Sequence, residues 1–120
     1  MNRVLIVDDS RTSRKILRKV FEELDCEVVG EAKNGQEGYD LFLELKPDLV
    51  TMDITMPVLD GVTALKMIKE ENPDARVLMV SAAGQQKNVL DAIKYGASEF
   101  VSKPFNVESI KQAINGILML

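Results

Sequence analysis

The stretch LVTMDITMP, residues 49–57, decides how the rest of the sequence is interpreted. Its first four residues form a largely apolar run that is typical of a strand buried on both faces. Asp53 ends this run, although an ionised carboxylate is costly to bury without a partner. Pro57 then ends any strand pairing because proline lacks a backbone N–H donor. A carboxylate in this position therefore needs a physical reason.

Short apolar runs alternate with amphipathic segments along the whole chain. The predicted strands are 4–7, 26–32, 49–52, 75–80 and 99–101, and the predicted helices are 11–24, 36–45, 62–71, 87–95 and 107–118. Ser10 is a natural N-cap for the first helix. Because the strands are rich in Val, Ile and Leu, this alternation predicts an α/β fold, a doubly wound (βα)5 parallel sheet covered by helices on both faces.

The composition excludes several classes of function. Acidic residues outnumber basic ones by 19 to 15, and the net charge of −4 argues against direct nucleic-acid binding through a basic face. The sequence contains no histidine, which excludes Ser-His-Asp and Cys-His catalysis, histidine-ligated metals and a phosphohistidine on this chain. Any chemistry must therefore use carboxylates, hydroxyls, lysines and the backbone.

Length, cysteine content and hydropathy predict a single cytoplasmic domain over residues 1–120. This length suits one domain with one hydrophobic core. Cys26 is the only cysteine, so an internal disulfide cannot form and a reducing compartment fits best. The N-terminus lacks the apolar region of a signal peptide, and no stretch approaches the roughly 20 apolar residues of a membrane span. We therefore expect no membrane insertion.

Charged and hydroxyl residues follow four of the predicted strands. They are Asp8 and Asp9, Asp53, Ser81 and Lys103. Each one alone would be an ordinary solvent-facing strand end, but the carboxyl ends of the strands in an open parallel sheet form its ligand-binding edge. Three carboxylates in one cleft repel each other unless a cation lies among them, and magnesium prefers such oxygen ligands.

These residue types fit phosphoryl transfer to an aspartate. Asp53 can act as a nucleophile and form an aspartyl phosphate, while magnesium and Lys103 neutralise the developing charge. Ser81 can hydrogen-bond the phosphoryl oxygens. The pattern therefore predicts a phosphoacceptor aspartate in a magnesium site.

Three other functions are possible for this fold class. A flavodoxin-like electron carrier needs a first loop rich in Ser, Thr and Gly, whereas DDS (8–10) would repel a flavin phosphate. A phosphatase with an aspartate nucleophile needs a second acid two residues after Asp53, where this chain has Thr55. An adaptor that binds partners without phosphorylation stays open, although it would be expected to lose at least one of Asp9, Asp53 and Lys103, and this chain retains all three.

Four short motifs resemble those of the receiver domain of bacterial response regulators. They are LIVDDS (5–10), MDITMPVLDG (52–61), VSAAG (80–84) and SKPF (102–105). The resemblance implies a flavodoxin-like fold with strand order 2-1-3-4-5 and magnesium as the cofactor. It also implies a two-component signalling regulator, phosphorylated by a partner histidine kinase, that is not an enzyme beyond its own phosphorylation and dephosphorylation.

The resemblance also implies roles for individual residues. The magnesium ligands would be Asp8, Asp9, Asp53 and the backbone carbonyl of Thr55. Asp53 would accept the phosphoryl group and Lys103 would pair with it. Ser81 would be the switch hydroxyl and Phe100 the switch aromatic. The alternative for Phe100 is an ordinary strand residue on the core face.

Within the family, the segments at 46–57 and 81–105 look most similar to single-domain chemotaxis regulators of the CheY type. This similarity implies a monomer that switches binding to a downstream effector, such as the flagellar motor switch, through helix 4, strand 5 and helix 5. A stand-alone receiver and a receiver cut from a longer regulator both stay open.

Thr55 and Ala83 flank the attacking water's path in the family but offer no acid or amide, so we expect phosphate loss not to be unusually fast.

Overall fold

The computed structural model describes residues 1–118, in which five strands alternate with five helices. The strands are β1 (Arg3–Val7), β2 (Glu27–Ala32), β3 (Leu49–Asp53), β4 (Val77–Ser81) and β5 (Glu99–Ser102). The helices are α1 (Arg11–Glu23), α2 (Gly35–Leu45), α3 (Gly61–Glu71), α4 (Gln86–Lys94) and α5 (Val107–Leu118). The strands pair in parallel in the order β2-β1-β3-β4-β5, which confirms the predicted doubly wound sheet and its strand order. Among these residues, no helix is long and apolar enough to cross a membrane.

Alternating strand residues divide the hydrophobic core between the two faces of the sheet. In β1, Val4 and Ile6 belong to a buried cluster with residues of α1 and α5. Leu5 and Val7 belong to the opposite cluster, which contains residues of α2, α3 and α4. Every residue of β3 and β4 is buried, as expected for central strands covered on both faces. The end of β3 is therefore held rigidly at the middle of the sheet.

Two strand ends differ from the sequence prediction. β3 includes Asp53, and β4 runs from Val77 to Ser81 rather than over 75–80, while every other predicted boundary lies within one residue of the observed one. Asp53 and Ser81 join their strands because the ladder continues through their backbones, with Ser81 opposite Ser102 of β5. The predicted N-cap is confirmed, since the Ser10 side chain accepts the Ser13 N–H at 3.2 Å.

Gly61 begins α3 directly against the backbone of Asp53. Its N–H donates to the carbonyl of Ile54 at 2.7 Å. A Cβ added at this position would lie 1.8 Å from the carbonyl oxygen of Asp53, which is far inside van der Waals contact. Only glycine permits this close approach, so the residue fixes the path of the β3–α3 loop.

We expect Gly61→Ala to lower the free energy of unfolding by about 3 kcal/mol, because the added methyl group must push α3 away from the strand. Urea denaturation measures this change. Gly116→Ala is the matched control, since a Cβ at that position in α5 meets nothing within 4 Å and alanine is the better helix former. Equal stabilities for the two variants would contradict the close approach.

Candidate metal centre

Three carboxylates and one ammonium group meet at the carboxyl edge of the sheet. Asp53 ends β3, Asp8 and Asp9 follow β1, and Lys103 follows β5. One carboxylate oxygen from each aspartate lies within 4.8 Å of the other two. The structure thus brings together four of the five residues that the strand-end pattern predicts, because parallel strands end at the same edge of the sheet.

Lys103 is ion-paired with two of these carboxylates. Its Nζ lies 3.1 Å from Oδ2 of Asp8 and 3.6 Å from Oδ2 of Asp53. Asp8 is fully buried and Asp53 is nearly so, which strengthens both attractions and also makes each carboxylate costly to leave unpaired. One lysine neutralises only one of the three carboxylates, so the ionised site carries excess negative charge.

Burial and this excess charge together change the pKa of Asp53, the central carboxyl group. Burial, reinforced by the negative charge of Asp8, raises the pKa of Asp53 to about 7. Lys103 lowers this pKa, whereas a hydrogen bond and the charge from Asp9 raise it further. Without a bound cation, Asp53 therefore holds its proton to a higher pH than an ordinary carboxyl group does. A cation bound in the cluster favours the ionised carboxylate.

The donor set fits a hard divalent cation. Oδ2 of Asp8 is buried and accepts no hydrogen bond from the residues that the structure describes, although it contacts Lys103 as an ion pair. Cations such as magnesium and calcium take carboxylate oxygens, whereas zinc prefers nitrogen and sulfur. The chain has no histidine, and its one cysteine, Cys26, lies in the core beneath α1 and α5. The carboxylate cluster therefore has the ligand chemistry that a hard cation prefers.

Hydrogen bonds fix the turn that carries Asp8 and Asp9. Oδ1 of Asp8 accepts the N–H of Ser10 at 2.8 Å. The guanidinium of Arg14 donates to the Asp8 carbonyl at 2.8 Å and pairs with Glu31 at 3.1 Å. Arg14 is thus a positioning residue for the acidic pair. Sequence reasoning misses it because a basic residue on an amphipathic helix looks like an ordinary surface charge.

The roles predicted for Ser81, Phe100 and Thr55 stay predictions. Ser81 is the buried last residue of β4, and its carbonyl accepts the N–H of Lys103 at 2.7 Å. Phe100 is half-buried and packs against the core beneath α2, α3 and α4. This position suits either a switch aromatic or an ordinary strand residue. Thr55 is exposed in the β3–α3 loop.

Gln85 contacts the site region but is not predicted from the sequence. Its Oε1 accepts the N–H of Ala82 at 2.6 Å, and its Nε2 donates to the hydroxyl of Thr55. Gln85 thus places an amide beside Thr55, and the expected rate of phosphate loss stays a prediction. Gln85 and Thr55 are 30 residues apart, so no local pattern connects them.

A five-stranded parallel sheet with three aspartates and a lysine at its carboxyl edge defines the receiver class of signalling domains. A sequence model of the response regulator receiver domain matches residues 4–115, and the chain belongs to this family. The predicted resemblance is thereby confirmed. Receiver domains interact with histidine kinases and effectors, and they are signalling regulators rather than conventional enzymes.

Individual relatives cover nearly the whole chain. It is 48% identical to the chemotaxis protein CheY of Bacillus subtilis, with 98% of each chain covered. It is 46% identical to the chemotaxis protein CheY of Thermotoga maritima, with 96% of each covered. A chain in the crystal structure of the CheX-CheY-BeF3-Mg+2 complex from Borrelia burgdorferi matches with a TM-score of 0.92 and 35% identity, covering 98% of this chain and 89% of that one.

Proposed function

We propose that this receiver domain accepts a phosphoryl group on Asp53 from a partner histidine kinase. The proposed magnesium ligands are Asp8, Asp9, Asp53 and the backbone carbonyl of Thr55. The observation that carries this proposal is the convergence of three carboxylates and Lys103 around the end of the central strand. The magnesium and beryllofluoride present in the Borrelia complex support the same chemistry here.

The chain's own side chains supply the nucleophile and much of the charge stabilisation. The ionised Asp53 carboxylate attacks phosphorus, forming a P–O bond as the P–N bond of the donor phosphohistidine breaks and its imidazole leaves. Lys103, whose Nζ is 3.6 Å from Asp53, stabilises the negative phosphoryl oxygens. Magnesium held by Asp8, Asp9 and Asp53 would supply further positive charge to this site. Hydrolysis of the aspartyl phosphate at the same site returns the carboxylate.

Phosphorylation then shifts the protein toward a second conformation. Ser81 moves toward the phosphoryl group, Phe100 reorients, and the face made by α4, β5 and α5 rearranges. Exposed apolar side chains on α4 and near its end, including Leu90 and Ile93, give this face a surface for an effector. A change from mostly off to mostly on requires about 5.5 kcal/mol of differential stabilisation.

The relatives support chemotaxis as the pathway, with an effector such as the flagellar motor switch downstream.

We further propose that residues 1–120 form one receiver domain that acts as a cytoplasmic monomer. The family match over residues 4–115 supports the single domain. The buried free thiol of Cys26 suits a reducing compartment. The net charge of −4 favours protein partners over nucleic acid.

Intact-mass spectrometry with magnesium and a small phosphodonor tests this function. The wild-type protein should gain one phosphoryl group, and chelation of magnesium or the substitution Asp53→Asn should prevent the gain. Asp40→Asn is the matched control, because it removes an exposed carboxylate on α2. No gain in the wild type, or an undiminished gain in Asp53→Asn, would reject the proposal.

A further inference from the structure

Gln85 joins the loop that follows Asp53 to the loop that follows Ser81, and we propose that it is a latch that holds the unphosphorylated conformation. Its Nε2 donates to the hydroxyl of Thr55 in the β3–α3 loop. Its Oε1 accepts the N–H of Ala82 in the β4–α4 loop at 2.6 Å. This inference rests on the proposed phosphorylation of Asp53.

Both ends of the latch lie next to residues of the phosphorylation site. Thr55 is two residues after Asp53, and Ala82 directly follows Ser81. β3 and β4 are neighbours in parallel register, with Asp53 opposite Val80, so the two loops leave the sheet side by side. A side chain that connects these loops therefore connects the phosphoacceptor to the switch hydroxyl.

The side-chain contacts of Gln85 are not explained by a role in capping α4. Gln85 occupies the N-cap position of that helix, but its side chain makes no capping hydrogen bond. It is half-buried, whereas Ala82, Ala83, Gly84 and Gln86 around it are exposed. Both polar groups of its amide are used by the two loops instead. The side chain thus serves the connection between the loops rather than the helix.

The latch opposes the conformational change that phosphorylation requires. Movement of Ser81 toward Asp53 displaces Ala82, whose N–H is held by an amide anchored on Thr55. While the N–H of Ala82 donates to Gln85, it cannot also donate to phosphoryl oxygens. Because the loops are exposed, water replaces part of what is lost, and the bridge contributes about as much as one net hydrogen bond. That corresponds to a factor of about five in an equilibrium constant.

Calorimetric titration with beryllofluoride in magnesium, a mimic of phosphorylation, tests the latch. We expect Gln85→Ala to raise the beryllofluoride affinity about fivefold, with the free energy of unfolding unchanged or slightly lower. Thr55→Val keeps the backbone carbonyl and the branched shape but removes the hydroxyl, and it should raise the affinity in the same direction. The double variant should bind no more tightly than Gln85→Ala, because both changes break one bridge. Gln86→Ala, at an exposed neighbour, should bind like the wild type.

The outcomes separate the latch from the proposed function. The latch is overturned if Gln85→Ala binds beryllofluoride no more tightly than the wild type, or if its effect on the affinity adds to that of Thr55→Val. In either case, binding of beryllofluoride by the wild-type protein still upholds the phosphorylation site. A merely structural role for Gln85 would lower stability and affinity together, which also overturns the latch. Failure of the wild-type protein to bind beryllofluoride overturns both proposals.

Discussion

Asp53→Asn should stabilise the metal-free protein above pH 7 by roughly 3 kcal/mol, and this gain should disappear toward pH 4. Burial and the negative charge of Asp8 raise the pKa of Asp53 from 3.8 to about 7 in the folded protein. At a pH between these two pKa values, Asp53 holds a proton in the folded state that it has lost in the unfolded state. The wild-type protein therefore loses stability as the pH rises through this range, whereas asparagine has no proton to lose.

Urea denaturation in the presence of a chelator, at pH 5 and at pH 8, measures this effect. The difference between Asp53→Asn and wild type should grow from the lower to the higher pH. Asp40→Asn on α2, which removes an exposed carboxylate, is the control. A variant less stable than the wild type at pH 8 would contradict the raised pKa and its two causes, burial and the crowding of negative charge.

Lys103→Met should have the opposite effect, lowering the free energy of unfolding by about 3 kcal/mol at pH 8 without metal. The substitution leaves the fully buried Asp8 without its ion-pair partner and removes the charge that lowers the pKa of Asp53. Because the Lys103 side chain is 24% exposed, the expected loss of stability lies at the lower end of the range for breaking a buried ion pair.

The same denaturation experiment, repeated with saturating magnesium, gives this prediction a second readout. Added cation should recover much of the stability lost in Lys103→Met, because it replaces positive charge beside Asp8. Lys87→Met, which changes an exposed lysine on α4, is the control and should stay near wild type. A Lys103→Met protein as stable as its control without metal would show that the ion pair contributes nothing.

The fold is predictable from the sequence because its hydrophobic patterns are unambiguous. The central strands are continuous apolar runs, and each helix repeats apolar residues at helical spacing. The ends of β3 and β4 are less predictable. Asp53 and Ser81 are polar residues that join the ladder through their backbones, which side-chain composition does not reveal.

The acidic cluster is predictable once the strands are known, because the residues that follow parallel strands lie at the same edge of the sheet. The contacts that position the cluster are not. Arg14 reaches the Asp8 carbonyl from the next helix, and Gln85 reaches Thr55 across 30 residues of chain. Such contacts depend on side-chain direction in the folded protein, and no spacing in the sequence encodes them.

Chemical mapping of the modified residue tests the central claim most directly. Borohydride reduces an aspartyl phosphate to homoserine, so peptide mass spectrometry after phosphorylation and reduction identifies the acceptor. The account predicts homoserine at position 53 and unmodified aspartate at positions 8 and 9. Homoserine at another aspartate, or no reducible acyl phosphate in a protein that has gained phosphoryl mass, would contradict it.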